Sequence, residues 1–273
     1  MKVLDSVFCN DYLTMANDSW NLGYHERNGG NFTYRITKEE IDSVRDDLSF
    51  DGEFVEIGTD VPALAGEFFM VTGSGKFFRW IKEKPTETCA IIEIDATGSK
   101  YRVVWGFDKG GKPTSELPTH LMNHEVKMLA TNGAHRIIFH CHPANLIALT
   151  FVVPATDAAV TRALWESMTE CPVIFPAGVG VLPWMVCGGR DIAVASAEKM
   201  KTYDAVVWAH HGLFCSADTF DNVMGLTHCI EKSAEIYLKV AAVTDQKVQT
   251  ITKENFLDLA KAFNFTINEE FLK

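Results

Sequence analysis

The chain has 273 residues, of which 47% are hydrophobic and 22% charged, and its formal net charge is −11. That composition sustains a sizeable core and excludes a disordered chain, while the acidic balance excludes nucleic acid and anionic membrane surfaces as partners, since both need a basic face. A small anionic ligand stays compatible, because a local pocket of backbone N–H groups can hold one.

Seven cysteines (9, 89, 141, 171, 187, 215 and 229) are odd in number and include no C-x-x-C pair. The pattern fits neither a disulfide framework nor a zinc ribbon, and it suggests a reducing compartment. Asp5 interrupts the first apolar run, so residues 1–8 do not read as a signal peptide. The longest apolar stretch, 145–153, is too short to span a bilayer. A cytoplasmic location is expected.

In chain order, Val3/Val7 and Leu4/Phe8 at i, i+4 predict an opening helix that Gly23 ends. Glu26-Arg27-Asn28-Gly29-Gly30-Asn31 is a turn cluster ahead of an alternating strand over 32–36, and Thr37 with Glu40 has capping-box spacing. Residues 42–60 are polar and irregular and read as surface elaboration. Strands are predicted at 68–72, 90–94 and 101–105, the first running into Gly73-Ser74-Gly75-Lys76. A helix beginning around 114–118 is carried on by the apolar spacing of Leu121, Met122, Val126 and Leu129.

A strand at 136–141 comes next, followed by helices near 144–151 and 157–169. Strands are expected at 172–175 and 179–182, then a helix near 191–202. Another strand starts at Tyr203 and ends in histidine before Gly212. A long helix over 219–242 and a shorter one over 253–263 finish the pattern. No repeat, low-complexity tract or linker interrupts it, so a single domain over 1–273 with an α/β or α+β layered fold is expected.

Chemistry concentrates at His140-Cys141-His142. Alternation along a strand puts His140 and His142 on one face and Cys141 on the other. Two imidazoles side by side can grip a metal ion, yet two ligands do not make a zinc site. His211, at the end of a second apolar strand, would complete a three-histidine site with an open position, and His210 is its neighbouring rival. His120 and His124 are i, i+4 on a predicted helix, but Leu121 stands where a zincin needs Glu, so they read as surface residues or as supports behind a site. The same reading applies to His25, His135 and His228.

Gly73-Ser74-Gly75-Lys76 and Asn28-Gly29-Gly30-Asn31 are short loops able to cradle a phosphate, although neither has P-loop or dinucleotide-binding spacing. Each would be an ordinary turn if it occurred alone. Glu116 stands behind Ser115 at a helix start, where the helix dipole favours a carboxylate, and only proximity to a metal would make it more than a first-turn acid. Glu170 is likewise a helix-end acid.

Taken in order, E-R-N-G-G-N (26–31), V-T-G-S-G-K-F-F-R (71–79), P-T-S-E-L-P (113–118), H-C-H (140–142), N-L-I-A-L-T (145–150), S-M-T-E-C (167–171), F-P-A-G-V-G-V-L-P-W-M-V (175–186) and H-G (211–212) carry a resemblance over nearly the whole chain. The sequence resembles the rhamnulose-1-phosphate aldolase family within the class II aldolase/adducin-head superfamily. The resemblance implies an α/β three-layer sandwich with a central, largely antiparallel sheet flanked by helices, assembled as a homotetramer with active sites between subunits. It implies zinc, one ion per subunit, on His140, His142 and His211, which favours His211 over His210. It also implies Glu116 as catalytic acid/base, Glu170 as an acid given to a neighbouring subunit's site, and Asn28, Gly30, Asn31, Ser74, Gly75 and Ser115 as phosphate-binding residues.

The implied reaction is reversible cleavage of a phosphorylated ketose, L-rhamnulose 1-phosphate, to dihydroxyacetone phosphate and L-lactaldehyde in rhamnose breakdown. Alternatives on the same fold are a ribulose-5-phosphate 4-epimerase, a fuculose-1-phosphate aldolase and a non-catalytic adducin-like binding module. Intact candidates for the ligands and the base weigh against the last of these.

Overall fold

Nine strands form one sheet in the computed structural model, which describes residues 1–273. They are β1 (Asn31–Ile36), β2 (Val55–Glu56), β3 (Phe68–Thr72), β4 (Cys89–Ile94), β5 (Lys100–Gly106), β6 (Ile137–Cys141), β7 (Gly180–Leu182), β8 (Ala205–Trp208) and β9 (Gly212–Ala217). The helices are α1 (Val7–Asn21), α2 (Lys38–Val44), α3 (Pro85–Thr88), α4 (Leu117–Ala130), α5 (Ala144–Leu149), α6 (Asp157–Trp165), α7 (Cys171–Ile174), α8 (Arg190–Met200), α9 (Phe220–Ala241) and α10 (Lys253–Phe263). The spatial order is β2-β5-β4-β3-β1-β6-β9-β8-β7, antiparallel at every pairing except β7 with β8.

Strand alternation sorts the two faces of this sheet. From β1, Phe32, Tyr34 and Ile36 enter a large core with Phe8, Tyr12 and Leu13 of α1 and Val223, Leu226 and Ile230 of α9. Ile137, Phe139 and Cys141 of β6 point the same way, so Cys141 goes into packing as expected. On the opposite face, Phe69, Val71, Ile92 and Ile94 pack against Leu117 and Leu121 of α4. Ile138, Val206, Trp208 and Phe214 pack there against Ile192 and Met200 of α8. The sheet therefore lies between two helix layers, and His140 projects into the α4/α8 side.

Trp208, Phe139 and Phe214 are among the largest fully buried side chains, and all surround the strand that carries the histidines. Burying side chains of this kind stabilises by about 1.5–3 kcal/mol each, which makes that strand a stiff platform.

Three sequence expectations need correction. Residues 172–175 are not a strand: Cys171–Ile174 is a helical turn with Pro172 in its first turn. Proline has no N–H for a strand ladder but is tolerated where a helix leaves its first N–H groups unpaired. The apolar run after Tyr203 does not continue to Gly212. It stops at Trp208, reverses over Ala209-His210-His211, and returns as β9 with Trp208 opposite Gly212. The turn residues 209–211 include no Gly or Pro, and His210 itself takes the left-handed position at φ 63°. Within 42–60, residues 45–47 form a single 3₁₀ turn and Val55–Glu56 adds an edge strand against β5.

The capping box of Thr37 and Glu40 is present as expected. A less visible cap fixes the chain just after His142. Glu231 of α9 accepts from the backbone N–H groups of Asn145 at 3.0 Å and Leu146 at 2.9 Å, and from the Asn145 side chain at 2.8 Å. Two first-turn donors of α5 are satisfied this way, with the charge at the favourable helix end. Glu231→Ala leaves both N–H groups unpaired and should lower unfolding free energy by about 1–3 kcal/mol in urea titration; an unchanged midpoint would remove Glu231 from this role.

Candidate active site

β6 ends at Cys141, and its alternation continues into His142, so the two imidazoles meet with Nε2 atoms 3.3 Å apart. The β8–β9 hairpin brings His211 alongside, with ring centroids 5.1 Å from both His140 and His142. One ligand nitrogen from each of the three lies within 4.8 Å of the others. His210 is turned away: its Nδ1 is 3.2 Å from Thr150 Oγ1 and its ring rests on Phe151. Gly212 makes the close approach possible, since a Cβ there would meet the Cys141 carbonyl at 2.4 Å and His142 Cδ2 at 2.9 Å.

The rings are held by their other nitrogens. His140 Nδ1–H donates to Leu213 O at 3.0 Å, and the ring stacks on Phe214 at 4.1 Å between centroids. His142 Nδ1–H donates to Glu26 at 2.7 and 3.0 Å. Both leave Nε2 free as a ligand, and the contact from Glu26 is the carboxylate–histidine arrangement that orients metal-binding imidazoles. Burial, with His142 and His211 beside it, holds His140 well below its ordinary pKa; burial and His142 lower His211 to about 4. His140 and His211 are therefore neutral at pH 7, the form that binds a metal. The donor set, the spacing and the fixed tautomers all fit a divalent ion of the zinc type.

Glu116 occupies the N-cap position of α4, makes no side-chain capping hydrogen bond there, and is 7% exposed. Its Oε2 lies 3.7 Å from His140 Nε2 and accepts from Asn31 Nδ2 at 2.7 Å. Burial raises its pKa, opposed by the Asn31 hydrogen bond and by His142. A carboxyl group so placed can hold and release a proton next to the histidine cluster.

Asn31 pairs with His140 across β1 and β6, and the β1–β3 register, in which Thr33 faces Val71, sets it opposite Gly73 when continued. The anion-loop candidates therefore sit in the same row of the sheet as the histidines. A bridge between Gly73 and Pro113 brings the loop holding Ser74 and Gly75 to the segment holding Ser115. The amides of Gly73 and Ser74 are already engaged, with Thr88 O at 2.8 Å and Lys112 O at 2.9 Å. What the loop still offers is Gly75 N–H and the Ser74 hydroxyl, rather than a nest of free amides. Asn28, Gly75 and Ser115 are exposed, whereas Asn31 is buried against Glu116. Gly30 has φ 75°, and a Cβ there would meet the His25 ring at 2.4 Å and the His140 carbonyl at 2.8 Å.

Glu170 does not join the cluster. It is exposed at the start of α7 in its own chain. Beside His142 and His211 a cleft of about 580 Å³ opens, walled by Ala144, Ile147, Trp184, Met185, Val186 and Cys187, with Glu26 and His210 at its rim. Its size suits a small organic ligand.

Sequence reasoning missed two things here. From sequence Glu26 reads only as part of a turn, because its partner His142 is 116 residues away. The expectation that His25, His120 and His124 are surface or supporting residues divides: all three are buried, at 5%, 0% and 1% exposure. Alternation on β1 could have hinted at this, because Asn31, Thr33 and Arg35 share one face and supply polar partners.

The model of the family described as Class II Aldolase and Adducin N-terminal domain matches residues 10–238. A rhamnulose-1-phosphate aldolase of Mannheimia succiniciproducens is 44% identical over 265 residues, covering 97% of each chain. One of Yersinia pestis is 42% identical over 264 residues, covering 97% of this chain and 96% of its own. Among solved structures, a sugar-phosphate aldolase from Thermotoga maritima superposes with a TM-score of 0.74 at 25% identity, covering 88% of this chain and 97% of that one.

Glu26→Gln removes the anionic acceptor on His142 and should weaken zinc affinity by roughly 10–100-fold in chelator competition; unchanged affinity would show that Glu26 does not orient the ligand. Burial lowers His25 and His120 to about 3 in the folded chain. The unfolded chain takes up their protons near pH 6.5, so this contribution to stability is complete above that pH and declines as pH falls toward 3. Each imidazole should cost on the order of 2 kcal/mol by pH 5 in urea titrations of metal-free protein, and a flat profile from pH 7.5 to 5 would contradict it.

Proposed function

The chain belongs to the class II aldolase and adducin N-terminal family, and from that premise we propose that it cleaves L-rhamnulose 1-phosphate reversibly to dihydroxyacetone phosphate and L-lactaldehyde. The observation that carries this reading is a buried carboxyl group, Glu116, set 3.7 Å from a ligand of a three-histidine cluster. Support for the substrate comes from relatives named for that activity, which match the chain almost end to end.

His140, His142 and His211 hold one zinc ion per subunit in this reading. Bound there, the ion supplies Lewis acidity for the negative charge that develops on substrate oxygens as the carbon–carbon bond breaks. Asn28, Gly30, Asn31, Ser74, Gly75 and Ser115 bind the phosphate and so fix the reacting carbons beside the histidines. Of these, Asn31 also holds Glu116. The C4 hydroxyl gives up its proton to Glu170 of a neighbouring subunit, and the C4–O bond becomes the aldehyde carbonyl. The electron pair of the broken C3–C4 bond stays on C3, where Glu116 delivers a proton. Its raised pKa suits that task, because burial favours the protonated form against a nearby cation.

We assign one catalytic domain to residues 1–273 and a homotetramer with active sites between subunits. Two features support the assembly: Glu170 stands apart from its own histidine cluster, and Trp184 and Val186 leave 66% and 71% of their surfaces exposed on the cleft wall. No helix is long and apolar enough to cross a membrane. All seven cysteines are free, which suits a reducing cytoplasm.

The test is a coupled assay for dihydroxyacetone phosphate released from L-rhamnulose 1-phosphate. Release should be abolished by chelator and restored by zinc, and no release at any zinc level would overturn the aldolase reading. Glu116→Gln should retain zinc but slow exchange of the C3 proton of dihydroxyacetone phosphate with solvent at least about a hundredfold; near-normal exchange would take Glu116 out of its role.

A further inference from the structure

Behind Glu116 runs a buried polar chain that the reaction outlined above does not use. Asn31 Nδ2 donates to Glu116 at 2.7 Å, while its Oδ1 is hydrogen-bonded to His120 Nε2. His120 Nδ1 lies 2.7 Å from the Thr33 hydroxyl, and that hydroxyl lies 2.8 Å from His124 Nε2. All four partners behind Glu116 are buried: Asn31 at 7%, Thr33 at 0%, His120 at 0% and His124 at 1% exposure. Strand and helix periods make the match, since Asn31 and Thr33 are i, i+2 on β1 and His120 and His124 are i, i+4 on α4.

The Thr33 hydroxyl also lies 3.5 Å from Ile138 O, a much longer contact than its two to the imidazoles, and with its hydrogen kept in the shorter bonds the chain has two self-consistent directions. In one, His124 Nε2–H donates to Thr33, the Thr33 hydroxyl donates to His120 Nδ1, His120 Nε2–H donates to Asn31 Oδ1, and Asn31 donates to Glu116. In the other every bond is reversed, Asn31 turns its oxygen toward the Glu116 carboxylate, and His124 carries its proton on Nδ1. The far end decides between them. His124 Nδ1 is buried without a partner, and the Arg35 guanidinium acts on this ring. A bare lone pair is favoured near a cation, whereas an unpaired buried N–H is repelled by it and is rarely tolerated. Burial lowers both imidazole pKa values, so neither ring becomes a donor at both nitrogens.

We propose that His120, aligned through Thr33 by His124, is a positioning residue that locks the Asn31 side-chain amide with its nitrogen toward Glu116. The inference rests on Glu116 being the base of the proposed reaction, but the orientation it asserts stands independently of any substrate. Without the lock, the Asn31 amide is free to turn its oxygen to Glu116, and the carboxylate loses the donor that orients it. His120→Leu removes the lock, and His120→Gln keeps an N–H able to reach Asn31 Oδ1.

Three measurements separate the outcomes. In imidazole nitrogen NMR of the unsubstituted chain, His120 and His124 should both be neutral with the proton on Nε2; a proton on Nδ1 of either ring overturns the proposal whatever the substrate proves to be. In cleavage assays, His120→Leu should lose about ten- to a hundredfold in kcat with KM within about threefold, while His120→Gln keeps kcat within about threefold. Zinc content should be unchanged in both. Equal losses in the two variants, or loss of zinc from both, would make His120 a general structural support and overturn its positioning role. Absence of cleavage by the unsubstituted enzyme, with the tautomers as stated, would instead strike the aldolase reading and leave the lock in place.

Discussion

The pairing of Asn31 with His140 across β1 and β6 is the constraint on which the rest of the site depends. Because side chains alternate with a period of two, that register puts both residues on the α4/α8 face of the sheet. A slip of one residue on β1 would send Asn31 into the apolar core and put Phe32 beside the histidines. The alternation of Phe32, Tyr34 and Ile36 against Asn31, Thr33 and Arg35 forbids that slip, since either face would then be wrong. From this pairing follow the position of His140, the hydrogen bond to Glu116 at the head of α4, and the row that continues to Gly73.

The histidine cluster is assembled from three segments that are stiff for different reasons. β6 is held by buried aromatic packing, His211 by a hairpin closed between Trp208 and Gly212, and the chain after His142 by the Glu231 cap on α5. Rigid supports matter because ligand nitrogens must be held close in a geometry the free protein would not otherwise favour. Burial keeps His140 and His211 neutral, which avoids repulsion between them, while the Nδ1 hydrogen bonds of His140 to Leu213 and of His142 to Glu26 fix ring orientation. Next to them Glu116 experiences the opposite consequence of the same burial, a raised pKa. One low-dielectric pocket thus favours the neutral forms of His140 and His211 and of the Glu116 carboxyl group.

Much of the fold was legible from periodicity. β3 is found over 68–72 as expected, β1, β4, β5 and β6 lie within a residue or two of their expected ends, and α9 and α10 run nearly as predicted. The errors fall where local pattern carries no signal. Four apolar residues around Pro172 read equally as strand or helical turn, and the left-handed position of the hairpin is a histidine, with the nearest glycine two residues later in β9. At the site, His140 and His142 were legible as a pair because strand geometry alone puts them on one face. Glu26, the buried chain through His120 and the engaged amides of Gly73 and Ser74 were not, because each depends on a partner distant in sequence.

By itself, then, the sequence determined the alternation of β1 and β6, the shared face of His140 and His142, the i, i+4 placement of His120 and His124, and the layered class of the fold. These are consequences of backbone periods, which act over a few residues and need no knowledge of neighbours. Tertiary structure decided that His211 rather than His210 turns inward, as the family resemblance implied but local periods could not, that Glu116 stands 3.7 Å from His140, and that the second histidine pair is buried behind Asn31 instead of facing water. Those outcomes depend on strand register, on one left-handed residue in a hairpin and on which polar atoms find partners when the layers close. Such interactions join residues far apart in the chain and exist only once it has folded.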